Sequence, residues 1–307
     1  MQREREMNGL LYVDKPVGVT SHDVVAVVRR AARVKRVGHA GTLDPFATGL
    51  LVIAVGMYTR LLPYIVGDPK VYDACIRFGT ETDTDDGTGA VVSECQAPTW
   101  EAPDAEEQLN RAMRSLTGRI AQIPPSYSAK HVDGTRAHTL ARAGNTVVLP
   151  PVSVTVHSWS VLRREDNLLR VRITCGGGTY VRALARDLGR AMQSAAHCAD
   201  LRRVSSGPAH ISRAVALNAL VPGSIFDGIV PLQSPLEIMG DIAHEILTDE
   251  GLRDLAFGRA VAATQAGSRA ALLRRDTAFG ACTVVGIGER TPADRWQPKL
   301  VLLGSAS

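Results

Sequence analysis

Strand-like and helix-like patterns of apolar residues alternate along the first 55 positions. Residues 9–14 form an apolar run that predicts a strand, and residues 50–55 form a second run short enough to be a buried strand. Between them, Thr20 and Asp23 have the spacing of a capping box, and apolar positions follow at helical spacing to about Val34. This part of the chain therefore predicts a strand, a helix and a second strand.

Period-two alternation is clearest in three later segments. Apolar and polar residues alternate over residues 71–78, 152–157 and 169–175, as in half-buried antiparallel strands. Helical spacing predicts one helix capped by Asp104 and another over about residues 179–192. These elements lack the regular period of a doubly wound sheet. The predicted fold class is α+β, with a mixed, largely antiparallel sheet and flanking helices.

The composition changes after about residue 212, where a loop-rich connector begins. It is marked by Pro222, Gly223, Pro231 and Pro235. A short helix and three apolar, strand-like segments follow, which predict a small β-barrel-like domain. The predicted boundaries are residues 8–230 for the main domain and 245–307 for the C-terminal domain.

Composition places the chain among soluble globular proteins. Its 307 residues are 45% hydrophobic and 21% charged, which excludes a disordered chain, collagen and a heptad rod. The net charge of +4 hides a formal charge of −9 over residues 68–107 and +11 over residues 108–220. Such segregation favours a polyanionic partner. Because 30 of the 35 basic residues are arginine, a genomic preference for arginine codons is the alternative explanation.

Several classes of site lack their motifs in this sequence. The five cysteines are scattered without a Cys-x-x-Cys pair, so neither a zinc site nor a disulfide framework is expected. No His-Glu-x-x-His or Gly-x-Ser-x-Gly motif supports metal or triad hydrolysis. The longest apolar run is far shorter than a membrane span, and the N-terminus has no leader pattern. We expect a cytoplasmic protein with no membrane association.

The densest cluster of chemistry-bearing residues is the segment GHAGTLDPFATGLL at positions 38–51. Three glycines, a proline and two threonines surround His39 and Asp44. This predicts a tight loop between the basic helix and a buried strand, where catalytic side chains are often presented. An Asp before a proline also commonly forms an Asx turn, so a purely structural role for Asp44 is the alternative.

A second candidate is the glycine loop CGGGTYVR at positions 175–182, where a predicted strand passes into a helix. Backbone N–H groups at such a helix start can bind phosphate, although neither a Walker A nor a dinucleotide-binding pattern is present. Arg182, Arg186 and Arg190 then recur every four residues and form one basic stripe. Such a stripe is usually a solvated face. Arg182 is the candidate functional residue because it adjoins the loop.

The acidic part of the chain is centred on TDTDDG at positions 82–87. Its spacing fails the calcium-loop pattern, because Gly87 stands where a ligand is needed and Thr88 stands where a glycine is needed. The sequence predicts a solvent-exposed Asp-Gly turn between strands.

These segments occur in the order found in one enzyme family. They are LYVDKPVGVTS (11–21), GHAGTLDPFATGLL (38–51), KVY (70–72), TDTDD (82–86), IPPSYSA (123–129), RAHTLAR (136–142), GGTYVRALARDLG (177–189) and LRR (201–203). Over roughly residues 8–215 the chain resembles the bacterial tRNA pseudouridine synthases of the B type. The C-terminal segment is similar to the small RNA-binding, PUA-like barrel that members of this family carry.

This resemblance implies the pseudouridine synthase fold and the isomerisation of the T-loop uridine, position 55 of tRNA, to pseudouridine. It implies base flipping, an essential Asp carboxylate, no cofactor or metal, tRNA as the partner, no obligate protein partner and a monomer. Isomerisation involves no redox change, in agreement with the missing cofactor and metal motifs.

The resemblance also assigns site residues position by position. The catalytic positions are Asp44, Tyr72 and Arg182, and the substrate-binding positions are His39, Tyr180, Leu201 and Arg60. Asp44 corresponds to the essential carboxylate, as nucleophile or as base, and Arg182 to its basic partner. Tyr72 corresponds to the tyrosine that stacks on the target base and is implicated in proton transfer. His39 corresponds to the residue that takes the place of the flipped base.

Tyr180 and Leu201 correspond to residues that line the uracil pocket, and ordinary core packing explains the same residue types. Two positions depart from the family pattern. His131, which follows Lys130, stands where the family usually has lysine, and His138 replaces a tyrosine.

Two other functions stay open from the sequence. One is an RNA-binding module with a vestigial catalytic loop, and the other is a phosphate-ester enzyme that uses the glycine loop. Phosphate contacts at the arginine clusters predict an affinity that falls with salt. Residues 29–36 and 182–203 are expected to face the RNA. Residues 81–107 are expected to face largely away from it, apart from the edge of the acidic turn.

Overall fold

Two sheets dominate the computed structural model of the chain. The residues described are 7–65, 67–127, 149–240, 242–275 and 281–303, with the backbone of 131–132 and 135–136. Within these ranges the larger sheet has ten strands, the C-terminal sheet has five, and two ribbons have two strands each. This α+β architecture confirms the predicted fold class.

The larger sheet is mixed but mostly antiparallel. In chain order the strands of the protein are β1 (Gly9–Lys15), β2 (Val37–His39), β3 (Thr48–Val55), β4 (Lys70–Phe78), β5 (Thr80–Thr82), β6 (Val91–Glu94), β7 (Gly118–Gln122), β8 (His131–Val132), β9 (Thr135–Arg136), β10 (Val152–Glu165), β11 (Leu168–Cys175), β12 (Ala196–Ser206), β13 (Ala209–His210), β14 (Val215–Ala216), β15 (Ala243–Ile246), β16 (Val261–Ala262), β17 (Arg269–Arg275), β18 (Cys282–Arg290) and β19 (Arg295–Val301). The larger sheet runs β14-β1-β3-β12-β4-β11-β10-β7, with β2 beside β3 and β13 beside β12. The β14–β1 and β12–β3 pairs are parallel.

Four helices of the described residues flank the sheets. They are α1 (Ser21–Ala32), α2 (Ala105–Ser115), α3 (Val181–Ala191) and α4 (Asp249–Ala256), with 3-10 segments at Gly56–Tyr64, Ile211–Arg213, Leu217–Ala219 and Pro235–Ile238. The predicted capping box of α1 is present. The Thr20 hydroxyl accepts from the Asp23 N–H at 3.1 Å, and the Asp23 carboxylate accepts from the Thr20 N–H at 2.8 Å.

The predicted capping role of Asp104 is wrong. Asp104 occupies the N-cap position of α2, but its backbone has φ −102° and ψ −1°, and its side chain makes no capping hydrogen bond. An N-cap side chain normally reaches the first turn from an extended backbone. Here the carboxylate accepts from the Gln108 side chain instead.

Strand β12 lies at the centre of the larger sheet, between β3 and β4, although no apolar pattern predicts it. Its consecutive arginines are tolerated because each has partners. Arg202 forms two hydrogen bonds with the Asp14 carboxylate, at 3.0 and 2.6 Å, and the buried Arg203 donates to the Leu50 carbonyl at 2.7 Å. Gly49 has φ +101°, and a Cβ there would lie 2.3 Å from the Arg203 carbonyl oxygen, so only glycine lets β3 and β12 approach this closely.

The apolar faces of the two sheets meet in one shared core. This cluster contains Leu10 and Val52 from the larger sheet and Leu273, Val284 and Leu300 from the C-terminal sheet. The C-terminal sheet therefore packs directly on β1 and β3. None of the helices in the described ranges is long and apolar enough to span a membrane.

The C-terminal sheet, ordered β15-β17-β18-β19-β16, closes around a second core containing the fully buried Trp296. The Trp296 Nε1–H donates to the buried Glu245 carboxylate at 2.9 Å, and the Thr264 hydroxyl and the N–H groups of Thr264 and Gln265 donate to it as well. Burial favours a higher pKa for Glu245, but these hydrogen bonds hold it below its usual value. The buried charge is thus fully partnered.

Candidate active site

Asp44 lies in the loop that joins β2 to β3, and contacts with the first helix and strand hold this loop. The Ser21 hydroxyl donates to the Leu43 carbonyl at 3.1 Å, and the Leu43 N–H donates to the Ser21 hydroxyl at 2.9 Å. The buried Lys15 ammonium donates to the Pro45 carbonyl at 3.4 Å. Burial lowers the pKa of Lys15 to about 8, although nearby Asp44 favours its charged form. The backbone on both sides of Asp44 is therefore fixed.

Asp44 pairs with Arg182 at the start of α3. Arg182 Nε lies 2.9 Å from Asp44 Oδ2, and the side chains of Arg182 and Asp44 are 5% and 37% exposed. Arg182 Nη1 donates to the Thr84 carbonyl at 2.8 Å and to the Asp86 carboxylate at 3.3 Å, while Nη2 donates to the Tyr127 carbonyl at 3.0 Å. A buried cation, held in place by its Nη1 and Nη2 hydrogen bonds, thus forms an ion pair with a carboxylate that remains accessible.

The acidic turn joins β5 to β6, as predicted, and Asp83 and Gly87 are exposed. The predicted exposure is wrong for Asp85 and Asp86, which are buried beside arginines of α3. Asp86 is buried and accepts from the hydroxyls of Thr84 and Thr88, at 2.8 and 2.6 Å. Asp85, which has φ +58°, is buried and lies 2.7 Å from Arg186. Burial raises the pKa of Asp85 to about 6, and Arg186 acts in the opposite direction. Guanidinium partners on α3 explain why two adjacent carboxylates are buried.

The arginine stripe of α3 consequently contacts protein. Arg182 and Arg186 are buried, and Arg190 forms an ion pair with Glu81 of the acidic segment. Acidic residues of the 68–107 segment and basic residues of the 108–220 segment are far apart in the chain, but in the fold they form ion pairs with each other. Arg186 is therefore not available to RNA, whereas Arg190 is 56% exposed and Arg182 adjoins Asp44. That residues 182–203 face the RNA stays a prediction.

Tyr72 and Leu201 belong to the core cluster beside the Asp44 loop. Both are buried, and the cluster includes Leu43 and Ala47 from either side of Asp44 in the chain. Across the β12–β4 pair, Arg203 lies opposite Tyr72. Burial raises the pKa of Tyr72, and the Arg203 guanidinium opposes this. An aromatic and apolar wall therefore adjoins the Asp44 loop.

Tyr180 is the N-cap residue of α3, two positions before Arg182. Its backbone N–H donates to Gln122 Oε1 at 2.9 Å, and its carbonyl accepts from Gln122 Nε2 at 3.1 Å. Gln122 is fully buried at the end of β7 and fixes where α3 begins. The sequence arguments did not single out Gln122, whose only signal is a polar residue closing a strand.

His39 ends β2 and is half-buried. Its ring meets that of His22, in the first turn of α1, edge to face, with centroids 5.9 Å apart and an interplanar angle of 76°. Burial lowers the pKa of His39, and His22 and Arg203 act in the same direction. His39 is thus neutral over a wider pH range than an ordinary histidine.

Arg60 lies apart from the Asp44 group. It sits in the 3-10 segment after β3, and its Nη1 donates to the Val301 carbonyl of the C-terminal sheet at 2.7 Å. Among the described residues the structure gives it no contact with Asp44. Lys130 and His138 lie outside the described residues, and of His131 only the backbone is described.

The Asp44 carboxyl combines accessibility with an unusual electrostatic setting. Burial raises its pKa above the usual range, Arg182 opposes this, and Asp86 adds to it. A carboxylate flanked by a fixed cation and an aromatic wall can attack, or take a proton from, a flat uncharged substrate. Among the described residues, no group of three or more His, Cys, Asp or Glu side chains is arranged to hold a metal ion.

Solved structures share this fold. A Cbf5-Nop10-Gar1 complex gives a TM-score of 0.69 at 22% identity, covering 96% of this chain and 85% of that chain. An H/ACA RNP bound to a substrate RNA containing 2′-deoxyuridine gives 0.68 at 20% identity, with 96% and 85% covered. These similarities show that the chain shares its fold with proteins in both complexes.

Comparisons of sequence identify the enzyme class and the family of this chain. The family model "TruB family pseudouridylate synthase (N terminal domain)" matches residues 29–181. The tRNA pseudouridine synthase B of Leifsonia xyli is 44% identical over 256 residues, covering 82% of this chain and 83% of the relative. That of Solibacter usitatus is 37% identical over 300 residues, covering 96% and 100%. The chain belongs to the tRNA pseudouridine synthase B family, whose reaction is the isomerisation of uridine to pseudouridine in tRNA.

Proposed function

We propose that the protein isomerises uridine 55 in the T loop of tRNA, using Asp44 as the essential carboxylate and no cofactor. The observation that carries this proposal is the ion pair between the accessible Asp44 and the buried Arg182. The enzyme acts as a monomer in the cytoplasm, without an obligate protein partner. A vestigial RNA-binding module would have no need of a buried cation that holds one accessible carboxylate.

The reaction needs no external atom or electron. The N1–C1′ bond breaks, the uracil turns within the site, and a bond forms between C5 and C1′. The C5 proton then leaves and N1 ends protonated, so substrate and product have the same composition. Asp44 acts either as nucleophile or as the base that removes a proton, and both roles require its ionised form. Arg182 favours that form.

The target base must leave the folded T loop before it reaches Asp44. Extrusion costs a few kcal/mol, which contacts with the enzyme offset. His39, held edge to face by His22, takes the place of the extruded base. Tyr72 stacks on the uracil, and Leu201 and Tyr180 line its pocket.

The two predicted domains have different roles in this proposal. We assign catalysis to residues 8–230 and RNA binding to the PUA-like residues 245–307. Arg60 bridges the two through the Val301 carbonyl, and its exposed position allows it to bind the tRNA backbone beside this joint. Residues 29–36, at the end of α1, supply further phosphate contacts.

Tritium release from tRNA labelled at C5 of uridine tests this function. Purified protein with unmodified tRNA and excess chelator should release one tritium for each tRNA molecule, because only uridine 55 loses its C5 proton when C5 bonds to the sugar. A transcript with cytidine at position 55 is the control and should release none above background. Equal release from both transcripts would contradict the proposed site of action.

Tyr72→Phe should lower kcat by about 10²-fold and change KM by less than about threefold, since the ring still stacks while the hydroxyl is lost. The matched control is Tyr58→Phe, which removes another buried tyrosine hydroxyl, in the core shared with the C-terminal sheet. Steady-state kinetics on a T-arm oligonucleotide, over a range of concentrations, measure kcat and KM for both variants. Equal rates for the two variants would show that the Tyr72 hydroxyl takes no part in the reaction.

A further inference from the structure

Lys70 is a cation beside the candidate active site to which the proposed function gives no role. It opens β4 two positions before Tyr72, so both side chains leave the strand on the same face, about 7 Å apart. This distance is comparable with that between a nucleobase and the phosphate of its own nucleotide. A base stacked on Tyr72 therefore brings its own phosphate within reach of Lys70.

The Lys70 ammonium is incompletely partnered within the described residues. Its Nζ donates to the Gly67 carbonyl at 2.8 Å, which uses one of three N–H donors. It belongs to none of the ion pairs formed by the described residues, although Asp68 lies near enough to favour its charged form. Burial and the neighbouring Arg203 lower the pKa of Lys70. Two donors and a half-buried positive charge are thus left for an anion.

Two glycine loops keep the approach to this ammonium open. A Cβ at Gly177 would lie 3.6 Å from Lys70 Nζ. A Cβ at Gly41 would lie 3.7 Å from Arg203 Nη1 and 4.0 Å from Lys70 Cε. Both glycines are exposed. A larger side chain at either position would extend over the ammonium. Because glycine has no side chain, an open cleft remains here between the Asp44 loop and the glycine loop.

We propose that Lys70 binds a backbone phosphate of the target nucleotide, in the cleft between Gly41 and Gly177, and so positions the uracil over Tyr72 and Asp44. Arg203 adds positive charge but is not itself the ligand-binding group. Its guanidinium donates to the carbonyls of Leu50 and Gly41. This inference rests on the proposed function, because it requires a uridine stacked on Tyr72.

Replacing single phosphates in the RNA tests the proposal directly. T-arm oligonucleotides carry one neutral methylphosphonate, either 5′ or 3′ of the target uridine, and their affinities are measured for wild type, Lys70→Met and Lys35→Met. For wild type, one of the two substitutions should weaken binding about tenfold. Lys70→Met should show a similar loss with unmodified RNA and no further loss with that methylphosphonate.

The control Lys35→Met removes an exposed lysine after α1. Any loss that it causes should add to that of the methylphosphonate, because the two changes affect different contacts. Lys70→Arg should restore binding and its sensitivity to the methylphosphonate. Additive losses in Lys70→Met, or wild-type binding that neither methylphosphonate weakens, would overturn the proposal, and the second result does not depend on how any variant folds.

Product formation separates this inference from the function on which it rests. If wild type converts the unmodified T-arm but shows no coupling between Lys70 and a phosphate, only the inference fails. If wild type converts no T-arm uridine, the proposed function fails and the inference fails with it.

Discussion

Asp44→Asn should abolish pseudouridine formation while leaving tRNA affinity within about threefold of wild type. The amide has nearly the same shape as the carboxylate but cannot act as nucleophile or base, so the single-turnover rate should fall on the order of 10⁴-fold. The remaining negative partner of Arg182, Asp86, still holds the guanidinium in place. Quench-flow kinetics under single-turnover conditions and filter binding measure the two quantities separately.

The pH dependence of the wild-type rate gives a second readout of the same carboxylate. Because burial raises the pKa of Asp44, the fraction in the ionised, active form should fall on acidification at a higher pH than for an ordinary aspartate. The acid limb of the single-turnover profile reports this pKa. An Asp44→Asn enzyme that keeps the wild-type rate would remove Asp44 from the mechanism.

Arg182→Met should be both inactive and strongly destabilised. It leaves the buried Asp86 without a counter-charge and removes the cation that favours ionised Asp44. Breaking a buried pair from one side costs about 3–5 kcal/mol of the free energy of unfolding. Urea unfolding followed by circular dichroism measures this loss, and the tritium-release assay measures activity.

Arg190→Met is the matched control on the same helix. Arg190 pairs with Glu81, but its side chain is 56% exposed. An exposed pair contributes about 0–1 kcal/mol, so stability and activity should change little. Equal destabilisation by the two substitutions would mean that the buried network around Arg182 has no special energetic role.

Elements with one dominant period could be predicted from the sequence. The alternation in β4 and β11 and the capping box of α1 each depend on neighbours in the chain, and the structure has all three close to the expected bounds. That Asp44 and Arg182 lie together was implied by the family resemblance, since they are 138 positions apart in the chain and no local pattern connects them. Local periodicity therefore predicted elements but not the site.

Features that depend on distant partners could not be predicted. Strand β12 carries two arginines whose hydrogen-bond partners lie on β1, on β3 and in the Asp44 loop, so its sequence is typical of an exposed segment. Asp85 and Asp86 are buried only because α3 supplies Arg186 and Arg182. In both cases a charged residue is buried by ion pairs or hydrogen bonds that form only when remote segments meet. For the same reason, charge counted along the chain does not show which charged residues pair with each other in the fold.

The proposed function requires that the enzyme isomerise one particular uridine and that it use Asp44 to do so. Its most direct test is to map pseudouridine at single-nucleotide resolution in an unmodified tRNA transcript after incubation with wild type or Asp44→Asn. We expect pseudouridine at position 55 alone with wild type and none with Asp44→Asn. Modification at a different position, or at position 55 by both proteins, would contradict it.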